Sequence, residues 1–202
     1  MVDPAELQFS DSGLLPCIAQ DASTGEVLML AWVNREAVDL TVSTGKLHFW
    51  SRSRSEIWLK GETSGNVMSV VDLRTDCDSD ALLALVNPAG PACHTGSRTC
   101  FGDPAPGLFS TLPSLERTIN DRAGDMPDGS WTAKLLATEG LAGEKVEEEA
   151  EEVARAAREE TDDRVANEAA DVIYHLLVLM RTRGLGLPDA LEVLAERAKG
   201  ES

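Results

Sequence analysis

Short apolar segments separated by turn residues fill the first half of the 202-residue chain. Segments of this length, bounded by glycine, serine and threonine, predict β-strands. The strands are expected at Leu14–Gln20, Val27–Trp32, Lys46–Ser51, Glu56–Lys60 and Val67–Leu73. A helix is predicted over Asn34–Thr44, with Asn34 as its N-cap and Gly45 as its end.

In the second half, apolar positions recur every three or four residues instead. Between Asp163 and Arg183 this spacing predicts an amphipathic helix of roughly five turns. The predicted helices are Thr111–Arg122, Lys134–Glu160, Asp163–Arg183 and Leu187–Lys199. The second half is therefore expected to be entirely helical.

The two patterns meet in a stretch rich in proline and glycine, which interrupts both helices and sheets. We interpret residues 1–102 as one domain, residues 103–107 as a linker and residues 108–202 as a second domain. The predicted fold class is multidomain α+β. A β-rich α+β metal-binding domain precedes an all-α helical bundle.

The formal net charge of −17 makes one functional class, nucleic-acid binding, unfavourable. Such a surface repels phosphates, which argues against binding nucleic acid through a general electrostatic field. A phosphorylated ligand then needs local cations or bound metal. No apolar run approaches the roughly 20 residues that cross a bilayer, and the acidic amino terminus is unlike a secretory signal. We expect a cytoplasmic protein without membrane association, whose four cysteines are thiols or metal ligands.

Carboxylates occupy alternate positions in the segment DCDSD, residues 76–80. In an extended chain, Asp76, Asp78 and Asp80 share one face and Cys77 points to the other. The segment would then serve an oxygen-preferring cation and a thiolate-preferring cation together. The alternative interpretation is a solvated acidic turn.

Three thiols, those of Cys77, Cys93 and Cys100, are widely spaced, whereas structural zinc sites usually present four ligands in close pairs. An open fourth position indicates a catalytic metal with bound water. Cys17 is expected to stand apart from this group. His94 is interpreted as a proton-transfer residue, with an ordinary loop histidine as the alternative.

Basic and aromatic residues concentrate between Lys46 and Lys60, against the acidic trend of the chain. Guanidinium groups bind phosphate oxygens and indole rings offer stacking faces, so the segment predicts a phosphate and base clamp. The alternative is an ordinary exposed strand face. The candidate substrate-binding residues are Trp50, Arg52, Arg54, Trp58 and Lys60, with Ser64 in the following loop.

Glutamates crowd residues 147–152 within one predicted helix, and two more carboxylates adjoin the apolar face of the next helix. Carboxylates beside an apolar stripe need a compensating charge, which a divalent cation supplies. The alternative is a solvated acidic face. The candidate ligands are Glu148, Glu149, Glu152, Glu168 and Asp171. Lys134 and Lys145 are candidates for phosphate contacts or plain surface lysines, and His175 is interpreted as a core histidine.

Across nearly all of residues 10–102, the first half resembles phosphoribosyl-AMP cyclohydrolase. The matching motifs are WSRSR (50–54), WLKGETSGN (58–66), DCDSD (76–80) and CHTGSRTCF (93–101). The resemblance implies a homodimer in which zinc is held by Cys77 of one subunit with Cys93 and Cys100 of the other. It also implies magnesium at the three aspartates and attack of zinc-activated water on C6 of the adenine ring, which opens the N1–C6 bond.

Residues 108–199 resemble MazG-like pyrophosphohydrolases and, more narrowly, phosphoribosyl-ATP pyrophosphohydrolase. The matching motifs are SWTAKLL (130–136), residues 145–153 and EAADVIYHLLVL (168–179), with Trp131 where tyrosine is usual. The resemblance implies that the five candidate carboxylates bind Mg²⁺ and activate water to release pyrophosphate from phosphoribosyl-ATP. A helical domain this small buries little surface alone, so dimerisation is expected.

Together the resemblances imply two consecutive steps of histidine biosynthesis acting on phosphoribosyl-adenine nucleotides. Two alternatives stay open. One is a house-cleaning pyrophosphohydrolase for abnormal nucleotides, joined to a first domain that modifies nucleobases in another pathway. The other is a nonenzymatic dimeric scaffold with a structural zinc clip.

Overall fold

The protein is represented by a computed structural model that describes residues 2, 4–102 and 108–200, without the side chain of Phe109. The predicted linker at residues 103–107 lies outside the described residues. The chain divides into two compact units, Met1–Ser110 and Thr111–Ser202. Each unit has a hydrophobic core of its own.

One mixed sheet of six strands forms the body of the first unit. The strands are β1 (Leu15–Asp21), β2 (Val27–Val33), β3 (His48–Ser51), β4 (Glu56–Leu59), β5 (Met68–Thr75) and β6 (Leu82–Pro88). Their order is β4-β3-β2-β1-β6-β5, and neighbours are antiparallel except for β1 and β6, which are parallel. Alternate residues of β1 are buried, as the two-residue period of a strand requires when one face packs on a core.

All five predicted strands are present, with small shifts at their ends. The pattern does not predict β6, although this strand lies inside the sheet between β1 and β5. Residues 81–86 form a continuous apolar run, and hydrophobic spacing alone does not separate a buried strand from a buried helix in so short a segment.

The helix α1 (Arg35–Thr44) follows β2 and begins and ends as predicted. The Asn34 side chain accepts a hydrogen bond from the backbone N–H of Ala37 at 2.9 Å, which caps the first turn. Gly45 has φ 67° and donates its N–H to the carbonyl of Thr41, so glycine supplies the left-handed residue that ends the helix.

A half-buried cation, Arg98, joins the segment after β6 to the turn between β1 and β2. Arg98 forms an ion pair with Asp21, and its Nε lies 3.5 Å from Glu26 Oε2. Both carboxylates are 4% exposed. Asp21 also accepts hydrogen bonds from the N–H groups of Ser23 and Thr24 at 2.8 and 3.0 Å. The guanidinium group therefore compensates two carboxylates that the fold removes from water.

Five helices form the second unit. They are α2 (Thr111–Asp125), α3 (Trp131–Ala137), α4 (Leu141–Glu159), α5 (Asp162–Thr182) and α6 (Leu187–Gly200). The core residues that they bury are Ile119, Leu135, Ala142, Leu177 and Val178. Within the described residues, none of these helices has both the length and the apolar character needed to cross a membrane.

The prediction of one helix over Lys134–Glu160 is wrong. The helix α3 ends at Ala137, and α4 begins only at Leu141. Gly140 takes φ 82°, a left-handed conformation that a side chain disfavours, and it becomes the N-cap of α4. Thr138 is already extended as the C-cap of α3, so the break spans residues 138–140, whose sequence does not disturb the hydrophobic spacing.

The predicted apolar face of α5 is buried only in part. Leu177 is buried, whereas Ile173 and Leu176 are each 42% exposed. The helix α6 has no buried residue among its described positions. Apolar side chains of α5 and α6 therefore face solvent in the single chain.

Replacing Arg98 by methionine is expected to destabilise the first unit by about 3–5 kcal/mol, because Asp21 and Glu26 would stay buried without a counter-charge. The free energy of unfolding can be measured from the urea dependence of amide hydrogen exchange in β1 and β6. Arg74→Met is the matched control: the Arg74 side chain is 66% exposed in its pair with Asp72, so the expected change is below about 1 kcal/mol. Equal destabilisation by both variants would contradict an anchoring role for Arg98.

Candidate functional sites

A cavity of about 550 Å³ lies between β4, the loop after it and residues 91–100. It gathers several residues that the sequence predicts for the first half of the chain. Those that line it are Arg54, Trp58, Lys60, Ser64, Cys93, His94 and Cys100. The structure thus places two thiols, the candidate proton carrier and part of the predicted clamp around one space.

Two further clamp residues line a separate groove of about 530 Å³. Trp50 and Arg52 lie in this groove, and Arg54 and Trp58 line both spaces. The guanidinium carbon of Arg52 is 4.8 Å from the centre of the Trp32 ring, a cation–π arrangement. The predicted clamp therefore spans two neighbouring concavities that share Arg54 and Trp58.

The side chains of Cys93 and Cys100 interact at the cavity wall. Thr95 Oγ1 donates a hydrogen bond to Cys93 Sγ at 3.1 Å, and this bond lowers the pKa of Cys93. Burial raises the pKa of Cys100, as does the negative charge of Cys93. Cys100 is held in place because its N–H donates to the carbonyl of Leu28 at 2.8 Å. His94 Nδ1 lies 3.9 Å from Cys93 Sγ.

Lys60 brings a cation to the same wall. The residue is only 6% exposed. Burial lowers the pKa of its ammonium group, and the charges of Cys100 and Cys93 oppose that shift. A lysine in this place compensates negative charge on sulfur.

Cys77 is exposed in the turn after β5 and does not line the cavity. Among the described residues, two groups of three or more potential ligand atoms lie within 4.8 Å of one another, and neither group contains a cysteine. Within a single chain, Cys77 therefore does not complete a set of three thiols with Cys93 and Cys100.

The carboxylates of Asp76, Asp78 and Asp80 form the first of these groups. The segment is a turn and not the extended chain that the alternating pattern assumes, and Ser79 has φ 62°. Asp76 Oδ1 accepts hydrogen bonds from the N–H groups of Asp80 and Ala81, both at 3.1 Å. The charges of Asp78 and Asp76 raise the pKa of Asp80, which records the repulsion inside the group.

The second group lies in the helical unit and joins Glu149 and Glu152 of α4 to Glu168 of α5. Glu168 is 3% exposed and forms an ion pair with Arg164. Desolvation raises the pKa of Glu168, while the charge of Arg164 opposes the shift. Three carboxylates thus converge on a partly buried point between two helices.

Two candidate ligands lie outside this group. Glu148 Oε2 is 2.6 Å from the ammonium group of Lys145. Asp171 is exposed in the single chain, as are Ile173 and Leu176 of the apolar face beside it. The Lys134 ammonium group lies 5.2 Å from the centre of the Trp131 ring. Both predicted phosphate-binding lysines therefore already have a neighbour in the single chain.

The sequence interpretation misses two arginines that pair with buried carboxylates. Arg164 pairs with Glu168 of the glutamate group, and Arg98, in the segment between Cys93 and Cys100, pairs with Asp21. Arg164 carries a usable signal, because a pair four residues apart on a helix, such as Arg164 and Glu168, is a recurrent ion pair. Arg98 carries none, because Asp21 lies 77 positions away in the chain.

Comparisons with known proteins divide the chain in the same way. Residues 29–102 match the family described as phosphoribosyl-AMP cyclohydrolase, and residues 112–198 match phosphoribosyl-ATP pyrophosphohydrolase. The histidine biosynthesis bifunctional protein HisIE of Bacillus subtilis (strain 168) is 48% identical over 95% of each chain. The HisIE protein of Escherichia coli (strain K12) is also 48% identical, over 92% of this chain and 91% of its own. The chain therefore belongs to the family of bifunctional histidine-biosynthesis enzymes that join a phosphoribosyl-AMP cyclohydrolase to a phosphoribosyl-ATP pyrophosphohydrolase.

Proposed function

We propose that the second unit hydrolyses phosphoribosyl-ATP to phosphoribosyl-AMP and pyrophosphate, and that the first unit then opens the adenine ring. The observation that carries this proposal has two parts. Two thiols line a cavity in the first unit, and three glutamate carboxylates lie close together in the second. We assign residues 1–102 and 108–202 to the two domains and residues 103–107 to their linker, so domain order is opposite to reaction order.

Zinc suits the thiols of the first unit. The side chains of Cys93 and Cys100 interact with each other, and a backbone hydrogen bond to Leu28 holds Cys100 in place. We propose that Cys77 of a second copy supplies the third sulfur in a homodimer. This arrangement is supported by the exposure of Cys77 and by its absence from both ligand groups found among the described residues of its own chain. When bound with an open fourth position, zinc lowers the pKa of a coordinated water to about 7 and so supplies a nucleophile for C6.

The side chains around the cavity would hold the nucleotide and move the proton. We propose that the His94 ring accepts the proton of the attacking water and returns it to N1 as the N1–C6 bond breaks. Arginine forks suit the phosphates and indole faces suit the adenine ring. The residues assigned to this binding are Trp50, Arg52, Arg54, Trp58, Lys60 and Ser64.

The aspartate group fits magnesium. Oxygens on opposite sides of a bound Mg²⁺ lie about 4.2 Å apart, and those of Asp76, Asp78 and Asp80 already lie within 4.8 Å of one another. We propose that these three carboxylates hold the ion. It would relieve the repulsion that the turn imposes on them.

The glutamate group fits magnesium for the same reason. We propose that Glu149, Glu152 and Glu168 hold Mg²⁺, with Glu148 and Asp171 as further ligands. When bound, the ion neutralises phosphate charge and lowers the pKa of the water that attacks the α,β-phosphate bond. Lys134 and Lys145 are assigned to phosphate contacts, which is supported for Lys145 by its position beside Glu148.

Dimerisation would also cover the apolar side chains that α5 and α6 expose. Leu194 of α6 is 57% exposed, and Ile173 and Leu176 of α5 are each 42% exposed. We propose a MazG-like helical bundle made by two copies, because a unit of this size buries little apolar surface alone. We place the enzyme in the cytoplasm, acting on small nucleotides without nucleic-acid or membrane partners.

Removal of zinc is expected to separate the two reactions. Purified enzyme is incubated with phosphoribosyl-ATP and excess Mg²⁺, with and without a zinc-selective chelator, and pyrophosphate and the ring-opened product are followed together. Chelation should abolish the ring-opened product and spare pyrophosphate release, because sulfur ligands occur in only one proposed site. Loss of both products would contradict the two-site division, and hydrolysis of other triphosphates in preference would favour the house-cleaning alternative.

Subunit complementation tests the shared zinc site. Cys77→Ala and Cys93→Ala should each lack cyclohydrolase activity. After the two variants are mixed, unfolded and refolded, about one quarter of wild-type activity should return, since half of the dimers are mixed and each carries one intact site of two. Pyrophosphate release by each variant alone serves as the folding control. Mixed dimers without activity would contradict the sharing of thiols.

Removing one charge from the glutamate group is expected to impair only the release of pyrophosphate in the second unit. Glu149→Gln should slow pyrophosphate release by about 10- to 100-fold, as loss of a metal-site group typically does, and should leave turnover of supplied phosphoribosyl-AMP unchanged. Glu151→Gln is the matched control, because Glu151 is exposed on the same helix and outside the group. Equal effects of the two substitutions would contradict the assignment of Glu149.

A further inference from the structure

A buried histidine connects the surface of the helical unit to the glutamate group. His175 of α5 is 5% exposed. Its Nε2 lies 3.4 Å from the indole Nε1 of Trp131, the first residue of α3. On the other side of the ring, Nδ1 lies 3.0 Å from the carbonyl oxygen of Asp171 and 3.8 Å from Glu149 Oε1. Three helices therefore meet at this one imidazole.

The partners of His175 determine where its proton lies. An indole N–H donates a hydrogen bond and does not accept one, so Nε2 must act as the acceptor from Trp131. A neutral imidazole with an unprotonated Nε2 carries its proton on Nδ1. That N–H donates to the Asp171 carbonyl, and the Glu149 carboxylate lies beside it at 3.8 Å. Trp131 thus fixes the tautomer that places a proton, and not a lone pair, next to Glu149.

We propose that Trp131 and His175 are positioning residues for Glu149 in pyrophosphate release, an inference that rests on the proposed magnesium site. His175 Nδ1 lies 3.8 Å from Glu149 Oε1, which is longer than a hydrogen bond but close enough for a proton on Nδ1 to attract the carboxylate. A carboxylate restrained in this way keeps its oxygens directed at Glu152 and Glu168 before any cation arrives. Groups that orient a metal ligand typically affect metal affinity by about 10- to 100-fold when removed.

A neighbouring contact joins the same helices without contacting Glu149. The hydroxyl groups of Thr132 and Tyr174 lie 2.7 Å apart, and Arg122 donates to Thr132 Oγ1 at 3.1 Å. Tyr174→Phe removes this second link between α3 and α5. It therefore serves as a control that separates general loosening of the helices from loss of the orientation of Glu149.

The first measurement is the tautomer of His175 in metal-free protein. With histidine labelled by ¹⁵N, NMR should show His175 protonated at Nδ1 and unprotonated at Nε2, and Trp131→Phe should remove the hydrogen-bond shift of Nε2. The Nε2-protonated tautomer in the wild-type enzyme would overturn the proposal. Since no metal or substrate is present, this result is independent of the proposed function.

The second measurement is the Mg²⁺ concentration that gives half-maximal pyrophosphate release. His175→Phe should raise it about tenfold, with much of the rate restored at saturating Mg²⁺. His175→Asn keeps a donor near the position of Nδ1 and should restore most of the Mg²⁺ affinity, while Trp131→Phe should be intermediate. Tyr174→Phe should match the wild type.

Equal increases in His175→Asn, His175→Phe and Tyr174→Phe would overturn the proposal, because they would show a general packing effect. If Glu149→Gln leaves pyrophosphate release unchanged, the proposed magnesium site fails instead. Because His175→Asn and Trp131→Phe preserve most of the local volume, they test the inference even where His175→Phe does not fold. Turnover of supplied phosphoribosyl-AMP should be unchanged in all four variants.

Discussion

Repulsion between carboxylates held close together is the constraint on which both halves of this protein depend. Each unit brings three carboxylates within 4.8 Å of one another, in a chain whose net charge is already −17. The folded backbone keeps these groups together, through a hydrogen-bonded turn at Asp76 and through the packing of α4 on α5 around Glu168. Apolar burial and hydrogen bonding in the folded chain therefore offset this repulsion, and the cations proposed above would reduce it further.

Local cations relieve this repulsion only at its edges. Arg164 pairs with Glu168, Arg155 with Glu152 and Lys145 with Glu148, so each basic side chain takes up one member of the acidic face. In the first unit, Lys60 has the corresponding position beside the thiols. Both units therefore combine closely spaced acidic or thiol groups with nearby basic side chains, three in the second unit and Lys60 in the first.

Local rules predicted most of the fold and part of the site. The strand β1, the cap at Asn34 and the helix end at Gly45 follow from short-range sequence signals, and the structure confirms all three. The break before Gly140 was missed, because one glycine does not alter hydrophobic spacing. Convergence of Glu168 with residues of α4 follows from helical periodicity once the two helices pack. The contact of Arg98 with Asp21 does not, because only the tertiary fold brings such distant positions together.

Arg98 anchors the segment between Cys93 and Cys100, and this limits which substitutions the sequence can accept. One guanidinium group faces two buried carboxylates, so losing Arg98 leaves two negative charges buried without a counter-charge. Neutral change then requires Asp21, Glu26 and Arg98 to be replaced together, or the arginine to be kept while neighbouring surface positions vary freely. These three sites should covary across lineages as a block.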